Sequence, residues 1–490
     1  MSQSDTIARL QSENARLQRE NARLGADKAQ LATRVAQLEK HLRERDAEIR
    51  RLRALLDARE RARQRQAAPF ARDGLLKEPK KPGRKPGGQR VRRKPPDRID
   101  RTFEAKLPCC PDCGCAVPTE TVHQQYQIDI PPVTPIVTQF NVHVGHCPDC
   151  GQRVQGRHPE QTSDALGAAG VQIGPALLTM AAELKHRLGV TYRKIAAFYS
   201  SYFDVKIAPA TFCRSGQRLA AKAKPTYDLL VDALQRAGVV HGDETGWRVG
   251  RLNAWLWVFC TRDITIYAIR VGKRSRSADV PQELLGSDFN GILVVDGLGA
   301  YDVLQCQKGR CNAHLLRRAH KLQEGAAPND VRYLQRLIAI VQDAIALVDT
   351  TEPISERKYW QRVRDLETRL DDWLSFYGYR PSREMHTFAK HIRKHRDEWF
   401  RFLHEPEVEP TNNHAERMIR PAVIIRRIGA CNRTPNGATT HEVLASLMAT
   451  WHMRGHEFRD LAMQLWRASQ PEAVSPPPPK HATAPAAANA

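Results

Sequence analysis

No apolar run in the 490 residues approaches the roughly 20 needed to cross a bilayer. The opening MSQSDTIARL is polar and helix-forming, without the apolar centre of a secretory leader. Acid is also in deficit. Against 76 Lys+Arg stand 54 Asp+Glu, a formal net charge of +22, which points to a polyanionic partner. Nucleic acid ranks first and an anionic membrane surface second. Eleven cysteines are present, but not scattered in pairs as in a small secreted scaffold. Four fall in two short doublets, which in a reducing compartment favours metal over disulfides. The expectation is a soluble, intracellular chain of several domains with at least one large core.

The first 60 residues carry a heptad pattern. Ile7, Asn14, Asn21, Lys28, Val35, Leu42, Ile49 and Leu56 occupy one position, and Leu10, Leu17, Leu24, Leu31, Leu38 and Leu52 the position three residues on, with Arg45 as the break. These are a and d positions of a coiled coil. Asn at successive a positions favours a two-stranded, in-register pairing, because an Asn side chain is best satisfied by its twin. We expect residues 1–66 to form a parallel, dimeric zipper, against the alternative of an amphipathic helix packed on its own chain. Residues 67–100 then change character. KEPKKPGRKPGGQRVRRKPPDR has ten basic residues against Glu78 and Asp97, with prolines and glycines that forbid a helix. It reads as a solvated linker. Its Gly-Arg-Lys-Pro-Gly centre, with Arg84 and Lys85, also suits contact with a narrow minor groove.

The pentamer CPDCG occurs twice, at Cys110–Gly114 and Cys147–Gly151. Each is a knuckle of two thiolates with a Gly for the tight turn, and together Cys110, Cys113, Cys147 and Cys150 make a tetrahedral zinc set. Cys109 and Cys115 compete with Cys110 for its place. Between the knuckles, HQQYQIDI and IVTQFNVHV read as strands, so residues 101–160 are expected to be a zinc ribbon. Residues 161–236 look helical: one helix from Tyr192 to Tyr202, a short turn, and a second entered at Pro209 and carrying Arg214 and Arg218. A DNA-binding helix-turn-helix and an ordinary helical hairpin fit equally.

From Ala237 the period switches. AGVVHGDETGWRV, NAWLWVFCT and ITIYAIRV are consecutive β-rich runs, and GILVVDGLGAY is an apolar strand ending in an acid, together a mixed α/β layer. Stripes at Val331, Leu334, Ile338, Val341 and Ile345, and at Tyr359, Val363, Leu366 and Leu370, predict a helical insertion at about 320–402. The end, SPPPPKHATAPAAANA, lacks the apolar bulk to fold, so 471–490 is expected to be a disordered tail.

Asp243 and Asp296 sit at strand ends. Two such strands side by side bring both carboxylates to one edge, where a divalent cation offsets their repulsion. An all-oxygen set suits Mg²⁺ or Mn²⁺. Glu416, in TNNHAERMIRP, is the candidate third acid, with Asn413 on the same helical face to orient it and Arg417 and Arg420 available to phosphates. His241 shares the strand face of Asp243.

The order of zipper, basic linker, double CxxC segment, helical region, GDETGW, VVDGLGAY, CNAH and NNHAERMIRP resembles the transposase subunit of the insertion-sequence sixty-six family, over nearly the whole chain. The resemblance implies a multidomain α+β protein whose residues 237–470 form a ribonuclease-H-like catalytic domain, and an Asp-Asp-Glu triad at Asp243, Asp296 and Glu416. It also implies two catalytic Mg²⁺ or Mn²⁺ ions, cleavage at element ends and transfer of the 3′-end to a target, with Cys311 and His314 matching a Cys-x-Ala-His segment. DNA, a second copy of the chain and small accessory proteins are the implied partners, in a bacterial cytoplasm on the nucleoid, with no membrane role. Two alternatives compete. One is a catalytically inactive relic acting as a zinc-containing DNA-binding regulator; the other is a different ribonuclease-H-like nuclease. A regulator does not need all three acids, which are intact here.

Overall fold

The computed structural model describes parts of residues 12–49 and residues 94–107, 109–131, 133–167, 170–350, 354–375, 380–429 and 431–480. The chain divides into two compact units, Met1–Pro82 and Gly83–Ala490. In the first, the described residues are helical, and Leu17, Leu24, Leu31, Val35 and Leu38 are each more than half exposed. Arg84 and Lys85, most of the basic linker and residues 481–490 lie outside the described residues.

The second unit is mixed α+β. Its first regular structure is a small hairpin, β1 (Val144–His146) against β2 (Arg153–Gln155), around the second CPDCG. The strands expected at 123–130 and 136–144 do not form, apart from the last residue, Val144. Their apolar side chains find no facing surface: Ile128, Ile130, Ile136 and Val137 are at least 80% exposed. Alternation supplies a strand only where another strand accepts it.

Helices α1 (Pro175–His186), α2 (Tyr192–Phe203) and α3 (Pro209–Gln235) follow. The two helices of the expected hairpin are present, but α3 runs for 27 residues. Leu219, Ala223, Tyr227, Leu230 and Leu234 on its inner face belong to the same core as Trp257, Phe259 and Leu293 of the sheet. The boundary expected at 236/237 therefore cuts through one packed body. A long apolar face on α3 must be buried, and the sheet buries it.

The sheet has the order β5-β4-β3-β6-β7. β3 (Val239–Val249), β4 (Leu252–Cys260) and β5 (Thr265–Val271) are an antiparallel meander. β6 (Ile292–Val295) lies parallel to β3, and β7 (Gln307–Arg310) parallel to β6. The return to a parallel strand needs a crossover, supplied by the stretch holding α4 (Asp279–Leu285). One sheet face carries Trp257, Phe259 and Val295 into the core with α3. The other carries Trp247, Leu256, Val258 and Tyr267 against α11 (Asn413–Gly429) and α12 (Pro435–Met453).

Between β7 and α11 come α5 (Asn312–Gln323), α6 (Pro328–Asp349), α7 (Glu356–Ser375), α8 (Arg383–Lys394) and the single turns α9 (Arg396–Trp399) and α10 (Arg401–His404). They bury Leu334, Val341, Val363, Leu370, Trp373 and Phe388 in a core of their own, joined to the sheet at Val294. After α13 (Phe458–Arg467), residues 471–480 depart from the expected tail. Arg454 donates to the carbonyl of Pro477 at 2.9 Å, and the N–H of Lys480 donates back to Arg454 O at 2.9 Å. The Val474 N–H reaches Thr226 Oγ1 at 3.0 Å. Prolines forfeit their own N–H but keep a carbonyl, so a poor folder still binds as an acceptor strip.

Candidate active site

β3 and β6 run parallel with His241 opposite Val294. Two residues further on, Asp243 within β3 comes beside Asp296, the residue that follows β6. The strand period thus gathers two acids 53 positions apart in the chain. A third acid joins them that sequence reasoning missed: carboxylate oxygens of Asp243, Glu244 and Asp296 all lie within 4.8 Å of one another.

The three acids are held differently. Asp243 Oδ1 accepts from the N–H of Glu244 at 2.8 Å, and Asp296 Oδ1 accepts from the N–H of Leu298 at 2.9 Å. Glu244 is already engaged by side chains. Arg276, lying 4.1 Å over the Trp255 ring, donates to its Oε1 at 2.7 Å, and the Tyr301 hydroxyl donates to its Oε2 at 3.1 Å. Glu244 is therefore offset by the protein, while Asp243 and Asp296 have their second oxygens to offer. Burial, then the charges of Glu244 and Asp296, push the Asp243 carboxyl well above its ordinary range, and Glu416 adds to the effect. Burial and Asp296 push Glu244 up to about 7 in spite of Arg276. Such a surplus of buried negative charge is the environment a hard divalent cation relieves, and the all-oxygen donors fit Mg²⁺ or Mn²⁺. DET contains the signal for Glu244, but its strand neighbours on the opposite face had to be known.

Glu416 enters from the first turn of α11, across the sheet from α3. The residue that pins it is Asn412, not Asn413. Asn412 is buried (1% exposed), and its carbonyl accepts from the N–H of Glu416 at 3.1 Å. Its side-chain amide donates to Gly242 O at 2.7 Å and accepts from His241 Nδ1 at 3.1 Å, fixing the imidazole tautomer. Asn413, exposed, makes no such link. A Cβ at position 242 would stand 3.1 Å from the Phe259 ring, a tight contact that would push the ring aside. Burial pulls His241 down to about 4, so it is a neutral strut.

His314 Nδ1 stands 3.7 Å from Glu416 Oε1. Asp296 is steadied from behind by Arg310, whose Nη1 donates to the Asp296 carbonyl at 3.0 Å. Arg417 and Arg420 are exposed on α11, and Arg214 and Arg218 on α3. The knuckles adopt the same turn twice. Gly114 N–H donates to Cys110 O at 2.8 Å and Gly151 N–H to Cys147 O at 2.9 Å, with the glycines at φ 72° and 70°. Backbone N–H groups of Cys113 and Cys150 lower the Cys110 and Cys147 thiols, respectively. Among the described residues, the four knuckle sulfurs are not gathered within ligand distance of one another.

The family described as Transposase IS66 family matches residues 170–440, more than half of the chain. The chain belongs to the IS66 transposase family. The matched span runs from just before α1 into α12, and so includes every acid described above. An uncharacterized protein of Sinorhizobium fredii (strain NBRC 101917 / NGR234), y4qI, is 26% identical over 257 residues, which is 46% of this chain and 46% of that protein. The chain thus spans about half the length of this curated relative. For an IS66 family member, the described residues hold no helix long and apolar enough to cross a membrane.

Proposed function

We propose that the chain is a DNA transposase whose ribonuclease-H-like core cleaves phosphodiesters with Asp243, Asp296 and Glu416, then joins the freed 3′-end to a target. The observation that carries this reading is the parallel register of β3 and β6, which sets Asp243, in mid-strand rather than at the expected strand end, beside Asp296, the residue after β6, with a helix-borne third acid tied to β3. An antiparallel meander followed by two parallel strands supports the ribonuclease-H-like assignment. Mg²⁺ or Mn²⁺ held by the three carboxylates would act as Lewis acid and lower the pKa of the attacking hydroxyl.

The chain's own residues do the rest. Asp243 presents its oxygens from the middle of β3, and Asp296 from the residue directly after β6, held by the Leu298 N–H. Asn412 sets the start of α11 and with it the reach of Glu416. Glu244 is held by Arg276 and Tyr301 and leaves the ion to the aspartates. Arg417 and Arg420 on α11, and Arg214 and Arg218 on α3, are assigned to DNA phosphates, as are Arg84 and Lys85. Residues 1–66 would pair two copies of the chain. Cys110, Cys113, Cys147 and Cys150 would hold structural Zn²⁺ once the knuckles close on each other. Small accessory proteins remain candidate partners in the cytoplasm.

The deciding experiment is nicking of DNA carrying the element ends by purified protein with Mg²⁺ or Mn²⁺, beside Glu416→Gln. Loss of nicking with DNA binding and melting temperature kept supports the reading. Equal nicking by both proteins removes Glu416 from the mechanism. Binding without nicking by either favours a DNA-binding relic or a missing accessory protein.

A further inference from the structure

A second donor cluster adjoins the acids, and the proposed reaction does not use it as a whole. Cys311 follows β7 and caps α5, His314 sits in the first turn of α5, and Glu416 projects from the first turn of α11. Their thiol, imidazole and carboxylate donor atoms lie within 4.8 Å of one another. Cys311 is buried (1% exposed), and its sulfur accepts from the N–H of Asn412 at 3.2 Å, so the starts of the two helices are tied together. His314 Nδ1 is buried yet has no hydrogen-bond partner among the described residues. It faces Glu416 Oε1 at 3.7 Å, too far for a hydrogen bond. Two ligands of one tetrahedral ion, each about 2.0–2.2 Å from it, stand about 3.3–3.6 Å apart. An orphaned nitrogen and a gap only slightly wider than that suit an ion between them better than a direct contact.

We propose that Cys311, His314 and Glu416 form a binding site for a thiophilic divalent cation of the Zn²⁺ class, whose occupation withdraws Glu416 from Asp243 and Asp296. The donors set the selectivity. Thiolate and imidazole favour a borderline-soft ion, whereas the all-carboxylate group next door favours a hard one. Burial raises the Cys311 thiol, and the N–H groups of Asn412, His314 and Ala313 offset only part of that, so binding displaces the thiol proton as the ion enters. The withdrawal of Glu416 rests on its reading as the third catalytic acid; the existence of the site does not.

The test is titration of the full-length protein with Co²⁺, following the thiolate-to-metal absorption band and the ions retained per chain after gel filtration. Parent, Cys311→Ser, His314→Ala and Asp243→Asn proteins are compared, so that the knuckle cysteines contribute equally and only differences count. Cys311→Ser and His314→Ala are expected to bind the adjoining ion about tenfold or more weakly, with part of the band lost, while Asp243→Asn keeps it. His314 is partly exposed, so its replacement keeps the test valid should Cys311→Ser misfold. An identical band and ion count in the parent and both site variants overturns the site, whatever nicking shows. In the parent, Zn²⁺ is expected to suppress Mg²⁺-dependent nicking. A band lost on cue with nicking indifferent to Zn²⁺ overturns the sharing of Glu416. Failure of the catalytic reading is seen separately, as equal nicking by parent and Glu416→Gln.

Discussion

Asn412 donates its side-chain amide to the carbonyl of Gly242 across 2.7 Å, bridging 170 positions of chain. One end of that bond lies a single residue before Asp243 and the other four residues before Glu416. Replacing Asn412 with Ala removes the side-chain partner of the Gly242 carbonyl and of His241 Nδ1, at about 1–3 kcal/mol for each buried group left unsatisfied. Urea denaturation should show that loss. Nicking should fall further than DNA affinity, because the register of Glu416 is released. Unchanged stability and turnover would deny Asn412 its positioning role.

Divalent cations should stabilise the protein in a pH-dependent way. Asp243 and Glu244 have folded-state pKa values raised above their ordinary ones, Glu244 from 4.5 to about 7. The folded state therefore binds more protons than the unfolded one in that window, and stability without metal falls as pH rises through it. Mn²⁺ offsets the buried negative charge. The rise in melting temperature on adding Mn²⁺ is expected to be larger at pH 8 than at pH 5, and to shrink at both in Asp243→Asn. A pH-independent rise would place the ion elsewhere.

Arg310 is buried behind Asp296 and pairs with Asp302 at 2.5 Å and Glu398 at 2.6 Å. Its removal takes one partner from each acid, leaving Asp302 with Lys394 at 2.9 Å and Glu398 with His395 at 3.2 Å, and the two acids keep 25% and 22% of their side-chain surface in water. Arg310→Met should therefore cost about 2–3 kcal/mol, below the figure for a fully buried pair. Chemical denaturation measures it. Asp302→Asn in the same background should recover part of the loss, and failure to do so would mean the acids are not the source.

The N-terminal leucines predict association. Leu17, Leu24, Leu31 and Leu38 are 54–64% exposed on their helix, a stripe that one copy of the chain leaves in water. Sedimentation should find a dimer for the full chain and a monomer for Leu24→Glu with Leu31→Glu. A monomeric parent would reject the zipper.

Local chemistry accounts for what was legible. The CPDCG turns follow from Gly at a position of φ near 70°, and the strands of the meander from period-two runs that other strands accept. Asp243 and Asp296 could be singled out because each ends an apolar run. The insertion helices were legible in stripes such as Leu334, Ile338 and Val341, all buried. The same alternation misled at 123–130 and 136–144, where no facing strand exists among the described residues.

By itself, the sequence determined the helices, the strands of the central sheet, the two aspartates and the charge surplus, since these depend on neighbours within a few residues. Only the tertiary structure decided that Asn412 rather than Asn413 anchors Glu416. It also decided that Arg276 and Tyr301 occupy Glu244, that α3 belongs to the sheet's core, and that residues 471–480 lie fixed along Thr226 and Arg454. Each of these is a contact between residues far apart in the chain, whose energy comes from burying one particular donor against one particular acceptor. Periodicity carries no record of such a pairing; the packed fold does.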